Sequence, residues 1–326
     1  MVLTSPALKT LCATAALLVC AAAAAQEYPN PSRTITIVIG YAPGGSVDVA
    51  SRYFGERLRR LSGAPALVDN RPGALTNIAA EAVARANPDG YTLLIASGNA
   101  TMASNAHLFK KLPFDPVKDF TPVTTLFQVP FFLIVNPKTP ASTVGELSAW
   151  LKQRGNKANY GYAGSFALIA SELYKTTAGL QAVGIAYKLP QQSLPALIAG
   201  DLDFMIQDAA NVLRQVSAGK LKALAVTTQR RSALMPELPT MEESGLPGYD
   251  LMGWFGLYLP ANAPPVVVDR LNGWFNQMLR EEDTRKALAN VGNEPLPGSP
   301  QSLSQLQARE YEKWGRLLKT VKLEAE

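Results

Sequence analysis

Ile35-Thr36-Ile37-Val38-Ile39-Gly40-Tyr41-Ala42-Pro43-Gly44-Gly45-Ser46-Val47-Asp48 is the stretch that decides the fold. Its first part is β-branched and apolar, which predicts a strand over 34–40. The run breaks at Pro43-Gly44-Gly45, where two glycines let the backbone turn tightly and approach a ligand with no Cβ in the way. Ser46 is a good N-cap, and a helix is predicted over 47–61, with Ala50, Tyr53, Phe54, Leu58 and Leu61 on one face. The first amides of such a helix point outward, with the positive end of its dipole behind them. Strand, Gly-rich turn and helix start therefore form an anion site that needs no charged side chain. The same pattern also serves as an ordinary βα turn without a ligand. Asp48 either steadies the loop or complements the helix dipole.

Outward from this unit the chain keeps alternating β and α patterns, which predicts an α/β fold. Strands are expected over 66–69, 91–96, 158–162, 202–206 and 221–227. Helices are expected from Asn77 as cap through Ala86, and over 143–154, 190–199, 211–218, 264–280, 284–290 and 300–320. Gly200 and Gly219 stand where the left-handed cap of a helix needs glycine. Trp274 and Trp314 fall within helical periodicity and are assigned to the core. Two apolar runs, 127–135 with Pro130 inside it and 252–259, read as an outward and a return crossing between two domains. The expected division is residues 1–25 as a leader, 26–125 with 232–326 as a discontinuous first domain, and 126–231 as the second.

Two crossings leave a cleft faced by loops at the C-terminal ends of strands, the usual ligand position in open α/β sheets. Five loops qualify: Tyr41 to Asp48; Ser97-Gly98-Asn99 with Thr101; Ala163-Gly164-Ser165-Phe166 at a second helix start; Tyr187-Lys188; and Gln207-Asp208. Each is also plain loop chemistry when taken alone.

Composition removes other classes. Lys9, the apolar run 11–25 and its small-residue end have the layout of a cleaved secretory signal, with cleavage expected after Ala25. The run is too short to span a membrane comfortably. Cys12 and Cys20 both lie in that segment, so the mature chain is expected to carry no disulfide and no Cys metal site. A net charge of +5, with 31 Lys+Arg scattered against 26 Asp+Glu, forms no basic stripe and argues against nucleic acid. His107 is the single histidine. With no Gly-x-Ser-x-Gly elbow, no Walker loop, no Gly-x-Gly-x-x-Gly and no zinc ligand set, neither an enzyme nor a metal or cofactor is expected.

The chain resembles the Bug-type extracytoplasmic solute receptors, the substrate-binding subunits of tripartite tricarboxylate transporters. The likeness is carried by Tyr28-Pro29, by Gly40 to Asp48, by Asn70-Arg71-Pro72-Gly73 and by Ala79-Ala80-Glu81-Ala82-Val83-Ala84. It continues in Pro88-Asp89-Gly90-Tyr91-Thr92-Leu93-Leu94, in Leu112-Pro113-Phe114-Asp115-Pro116 through Phe120, in Ala218-Gly219-Lys220-Leu221 and in Gly253-Trp254-Phe255-Gly256-Leu257. The resemblance implies a two-domain, periplasmic-binding-protein-like (type II-like) fold that closes on a small organic carboxylate. It implies a periplasmic, monomeric receptor that hands the ligand to membrane transporter subunits.

In that reading Gly44, Gly45 and Ser46 hold the carboxylate, Ser97 and Thr101 add hydroxyls, and Ser165, Tyr187 and Gln207 close from the other lobe beside Phe166. Two departures from the family pattern fall on the second-domain side. Ala163-Gly164 is followed by Ser165-Phe166-Ala167-Leu168, shorter and more apolar, and Tyr187-Lys188 is followed by Leu189-Pro190. They point to a ligand with an aromatic or long aliphatic part, unless Lys188 turns inward to neutralise a second carboxylate. A ligand sensor for a membrane kinase, or a periplasmic hydrolase using His107, are the alternatives.

Overall fold

The computed structural model describes residues 28–188 and 190–320. The expected leader and cleavage after Ala25 lie outside them, as does Leu189. The first unit is β1 (Ile35–Ile39), α1 (Ser46–Ser62) and β2 (Ala66–Asn70), followed by α2 (Asn77–Ala84) and β3 (Thr92–Ser97). Gly45 is the N-cap of α1 and Ser46 its first helical residue, one position away from the cap that the sequence suggests. Thr76, not Asn77, is the N-cap of α2. α1 ends at Gly63, whose φ of 71° is the left-handed conformation that glycine adopts without penalty. A wide turn over Ala100–Ser104 leads into the single-turn α3 (Asn105–Leu108).

β4 (Phe120–Val129) carries the chain to the first crossing and β5 (Phe131–Val135) carries it on. Pro130 separates them because it has no N–H to give to a ladder. β4 begins well before the expected run. Pro122 hides that start in the sequence, and its pairing with Tyr258 falls beside a register shift in the ladder. Next come α4 (Val144–Arg154), β6 (Asn159–Tyr162), α5 (Gly164–Ala178), β7 (Val183–Ala186), α6 (Pro190–Ala199), β8 (Phe204–Asp208), α7 (Ala209–Ser217) and β9 (Lys222–Val226). α4 starts on a capping box: Thr143 Oγ1 accepts the Glu146 amide at 3.2 Å, and the Glu146 carboxylate accepts the Ser142 amide at 2.6 Å. The return strand β10 (Gly253–Pro260) leads to α8 (Pro265–Arg280), α9 (Glu282–Ala289), the two-residue β11 (Glu294–Pro295) and the long α10 (Pro300–Thr320).

The strands form two sheets, ordered β11-β4-β10-β3-β1-β2 and β7-β6-β8-β5-β9. β1 is parallel to β2 and β3, whereas β10 is antiparallel to both β3 and β4. Each sheet is covered on both faces, as the alternation of strand side chains requires. Ile37 and Ile39 point into a core with Phe54, Leu58 and Phe275, while Val38 points into another with Trp254. In the second lobe Leu133 and Val135 meet Tyr174 and Phe204, and Phe132 and Ile134 meet Leu197 and Val212. Burying each such side chain stabilises the fold by about 1.5–3 kcal/mol.

Met235, Met241, Leu246, Tyr249 and Leu251, expected in the first domain, lie instead in the two cores of the second lobe. The segment is irregular but apolar at those points, so it covers the second sheet before β10 crosses back. A fifth cluster joins the lobes: Ala103 from the first, Ile169 from the second, and Trp314 and Leu318 from α10.

Candidate ligand-binding cleft

A cleft of about 560 Å³ opens between the lobes, on the C-terminal side of both sheets. Three helix N-termini reach it. Gly45, Ser46 and Val47 bring the start of α1, Ala163 to Ala167 the start of α5, and Asp208, Ala210 and Asn211 the start of α7. Neither α1 nor α5 has a side chain capping its first turn. α7 does: Asp208 accepts the Asn211 amide at 3.2 Å and the Asn211 carboxamide at 2.7 Å. First-turn amides have no acceptor inside their own helix, so the starts of α1 and α5 present donors to the cleft.

The loop before α1 is held from behind. Asp48, 3% exposed, accepts the Gly44 amide at 2.9 Å, Arg52 Nε at 3.1 Å and Asn70 Nδ2 at 2.8 Å. Asn70 Nδ2 also donates to the Tyr41 carbonyl at 3.0 Å. Burial by itself would raise the Asp48 carboxyl, but the hydrogen bonds from Arg52, Gly44 and Asn70 outweigh it and hold it at about 2. Asp48 therefore steadies the loop. The Gly44 amide is spent on it, and the φ of 88° at Gly44 makes the turn.

Ser97, at the end of β3, accepts the Ala100 amide at 3.1 Å and meets the Tyr41 phenol. Burial pushes that phenol up to about 12, partly offset by Ser97, so Tyr41 remains an O–H at neutral pH. Asn99 lines the wall but is fully engaged. Its Nδ2 donates to the Met252 carbonyl at 2.9 Å and to Glu310 at 3.1 Å, and its Oδ1 accepts the Trp254 amide at 3.0 Å. Gln207 is 1% exposed and its side-chain Nε2 has no hydrogen-bond partner. A buried amide donor left open on a cleft wall is a position where a ligand oxygen would be accepted.

The rest of the wall is aromatic. Phe131 and Phe166 stack at 3.9 Å between ring centroids, Phe166 meets Trp314 at 5.7 Å, and Phe255 meets Tyr41 at 5.7 Å. Among the described residues, no Lys, Arg or His lines the cleft, and Asp208 is the only carboxylate that does.

Of the residues expected from the sequence, the structure brings Tyr41, Gly45, Ser46, Ser97, Asn99, Ala163, Gly164, Ser165, Phe166, Gln207 and Asp208 to the cleft. Ala42, Pro43 and Gly44 face solvent on the outer side of the turn, and Asp48 lies behind it. Gly98 packs against the Trp254 indole, where a Cβ has no room. Thr101 is 1% exposed and bonds Thr76 at 2.6 Å, so it braces the first lobe from inside. Tyr187 packs on a second-lobe core and Lys188 is exposed, both just past the end of β7, the edge strand of its sheet, and neither lines the cleft. Leu168 is off the wall as well.

Sequence reading missed Phe131, Phe255 and Trp314. The first two sit where the crossing strands pass the cleft floor, a signal present in the crossings themselves. Trp314 is core as expected, yet its helix also carries it to the wall. His107 lies elsewhere: its Nε2 donates to the Tyr311 carbonyl at 3.0 Å, bracing α10.

Two α/β lobes, two crossing strands and a cleft built from helix starts define a bilobal solute-binding protein. More narrowly, the chain belongs to the tripartite tricarboxylate transporter family receptors, whose family model matches residues 50–323. It is 31% identical over 291 residues to Protein BugT of Bordetella pertussis, covering 89% of each chain. The solved structure of R. palustris Rpa4515 with adipate is similar at 31% identity and a TM-score of 0.78, covering 92% of this chain and 100% of that one. MatC from Rhodopseudomonas palustris with bound malate is similar at 30% identity and a TM-score of 0.72, covering 89% and 100%. Among the described residues, no helix is long and apolar enough to cross a membrane.

Proposed function

We propose that the chain is a periplasmic receptor that captures a small organic carboxylate between its lobes and delivers it to the membrane subunits of a tripartite tricarboxylate-type transporter. The observation that carries this reading is the meeting of two uncapped helix starts, α1 and α5, from opposite lobes across one cleft. A carboxylate there accepts backbone amides and the field of two dipoles without any cationic side chain. The Ser46 and Ser165 hydroxyls and the open Gln207 donor complete the polar end. Relatives that hold adipate and malate support the ligand class.

The other end of the cleft favours one particular shape. Phe131, Phe166, Phe255 and Trp314 offer apolar surface, Lys188 is away from it, and Asp208 opposes a second negative charge. A monocarboxylate with an aromatic or long aliphatic body fits this division better than a short dicarboxylate, whose far carboxylate would lose its water without a partner. Each fully buried methylene adds about 0.8 kcal/mol. Paired calorimetric titrations of succinate against benzoate and octanoate at matched ionic strength test this. Succinate is expected to be the weakest, and tighter binding of succinate than of both others overturns the ligand shape. Absence of binding by every carboxylate in a wider screen overturns the receptor reading itself.

A further inference from the structure

A second pocket, of about 680 Å³, shares no lining residue with the cleft. Gln128 lines it, one residue before Val129, which lines the front cleft. Neighbours on a strand face opposite ways, so the two side chains leave β4 on different sides, Val129 toward the front cleft and Gln128 toward the second, rear pocket. Like the front cleft, the rear pocket draws on both lobes. The first lobe supplies Arg280 at the end of α8, Arg285 and Lys286 on α9, and Asn293. The segment leaving the second lobe supplies Arg230, Arg231 and Leu234.

Its chemistry is the reverse of the front. The front cleft has no cationic side chain among its described residues, whereas five cations surround the rear pocket against two carboxylates, Glu282 and Glu294. Both carboxylates are already satisfied. Glu282 pairs with Arg285 at 2.9 Å and lies 3.9 Å from Lys286. Glu294 accepts Ser232 Oγ at 2.6 Å, the Leu234 amide at 3.3 Å and a close hydrogen bond from Gln128 Nε2. Arg231 pairs with Glu243 at 2.9 Å, outside the pocket. Arg230 and Arg280 have no carboxylate partner among the described residues. At the floor, Asn293 is 1% exposed, and neither its side-chain oxygen nor its nitrogen has a hydrogen-bond partner. A buried carboxamide with both ends open, under a rim with unpaired positive charge, is an incomplete polar site.

We propose that this rear pocket is a second binding site, for a small anion carrying at least two negative charges. Arg230 and Arg280 hold it from the two lobes, and Asn293 donates from the floor. Its occupant touches both sides of the hinge, and its recognition is ionic where that of the front cleft is dipolar. The site does not depend on which ligand the front cleft takes.

The test is calorimetric titration of the full chain with pyrophosphate at fixed ionic strength, since exposed charge pairs weaken with added salt. The expected result is saturable binding at one site per chain. Arg230→Gln with Arg280→Gln should weaken it at least tenfold while leaving carboxylate binding in the front cleft unchanged. Both arginines are exposed, so this variant keeps the fold. Gly45→Val, which obstructs only the front, should leave pyrophosphate binding within twofold. Unsaturable binding, an unchanged affinity in the double arginine variant, or loss in Gly45→Val would overturn the proposal.

Discussion

The two helix starts that face each other across the cleft are braced by opposite means. Behind α1, one buried carboxylate gathers the Gly44 amide, Arg52 and Asn70, and Asn70 reaches on to the Tyr41 carbonyl. Behind α5 no such polar clamp stands among the described residues: Ala163 is the N-cap, and Phe166 stacks on Phe131 and packs at a tilt on Trp314. A clamp of charge-assisted hydrogen bonds permits one geometry. An aromatic contact tolerates sliding and exchange of side chains. In the proposed function the first lobe is therefore the fixed anchor for a carboxylate, and the second reads the body attached to it.

The largest expected effect follows from breaking the clamp. Asp48→Ala leaves a guanidinium, a carboxamide and the Gly44 amide without their acceptor, and should lower stability by about 2–3 kcal/mol. Chemical denaturation checks this, with carboxylate affinity falling in parallel. The same carboxyl makes a pH prediction. Its folded value of about 2 lies below the ordinary 3.8. Its contribution, about 2 kcal/mol, is therefore complete above pH ~4 and is lost as pH falls from there through ~2. Asp48→Asn should lack this portion of the acid transition, and an identical acid profile in that variant would break the clamp.

Next in size is the anchor itself. Gly45 has an ordinary φ of −78°, and a Cβ added there would meet nothing closer than 3.9 Å, so Gly45→Val should fold. It should bind carboxylates at least tenfold more weakly, equivalent to about 1.5–3 kcal/mol for a lost charge-assisted hydrogen bond. Gly44→Val, by contrast, should act on stability, because its φ of 88° suits only glycine. Smaller still, Phe166→Ala should cost a bulky acid about 1–2 kcal/mol of affinity and succinate almost none. Equal losses for both acids would mean that the second lobe also acts as an anchor. Lys188→Ala should change neither by more than twofold, and titration of the two acids checks it.

How much of this was legible depended on whether the cause was local. The strand, turn and helix start around Gly44 and Gly45 could be read because glycine conformation, capping and periodicity act within a few residues. The crossings at Pro130 and Gly253 were visible as apolar runs. Which amide was free was not visible, since the choice between Gly44 and Gly45 rests on Asp48 folding back and on Asn70 arriving from another strand. Phe131, Phe255 and Trp314 look like core in any periodicity, and only the gap between lobes turns one edge of each toward a ligand. Residues 232–251 carry too little regular pattern to reveal which lobe they cover.

The position of β10 sets an order of assembly. Among the described residues β4 pairs only with β10 and β11, and β10 is the strand that joins it to β3. A growing chain that has emerged as far as β4 therefore holds β1, β2 and β3 with an open edge and no partner for β4. Once the chain has emerged as far as Leu251, the second lobe, nearly contiguous from β5, still lacks contacts from downstream segments such as Glu294 and α10. It can form while the earlier-synthesised lobe waits for residues far downstream, a long-range pairing of the kind that slows folding. The lobe that is made first is finished last, and the two faces of the cleft come into existence together only when the end of the chain has arrived.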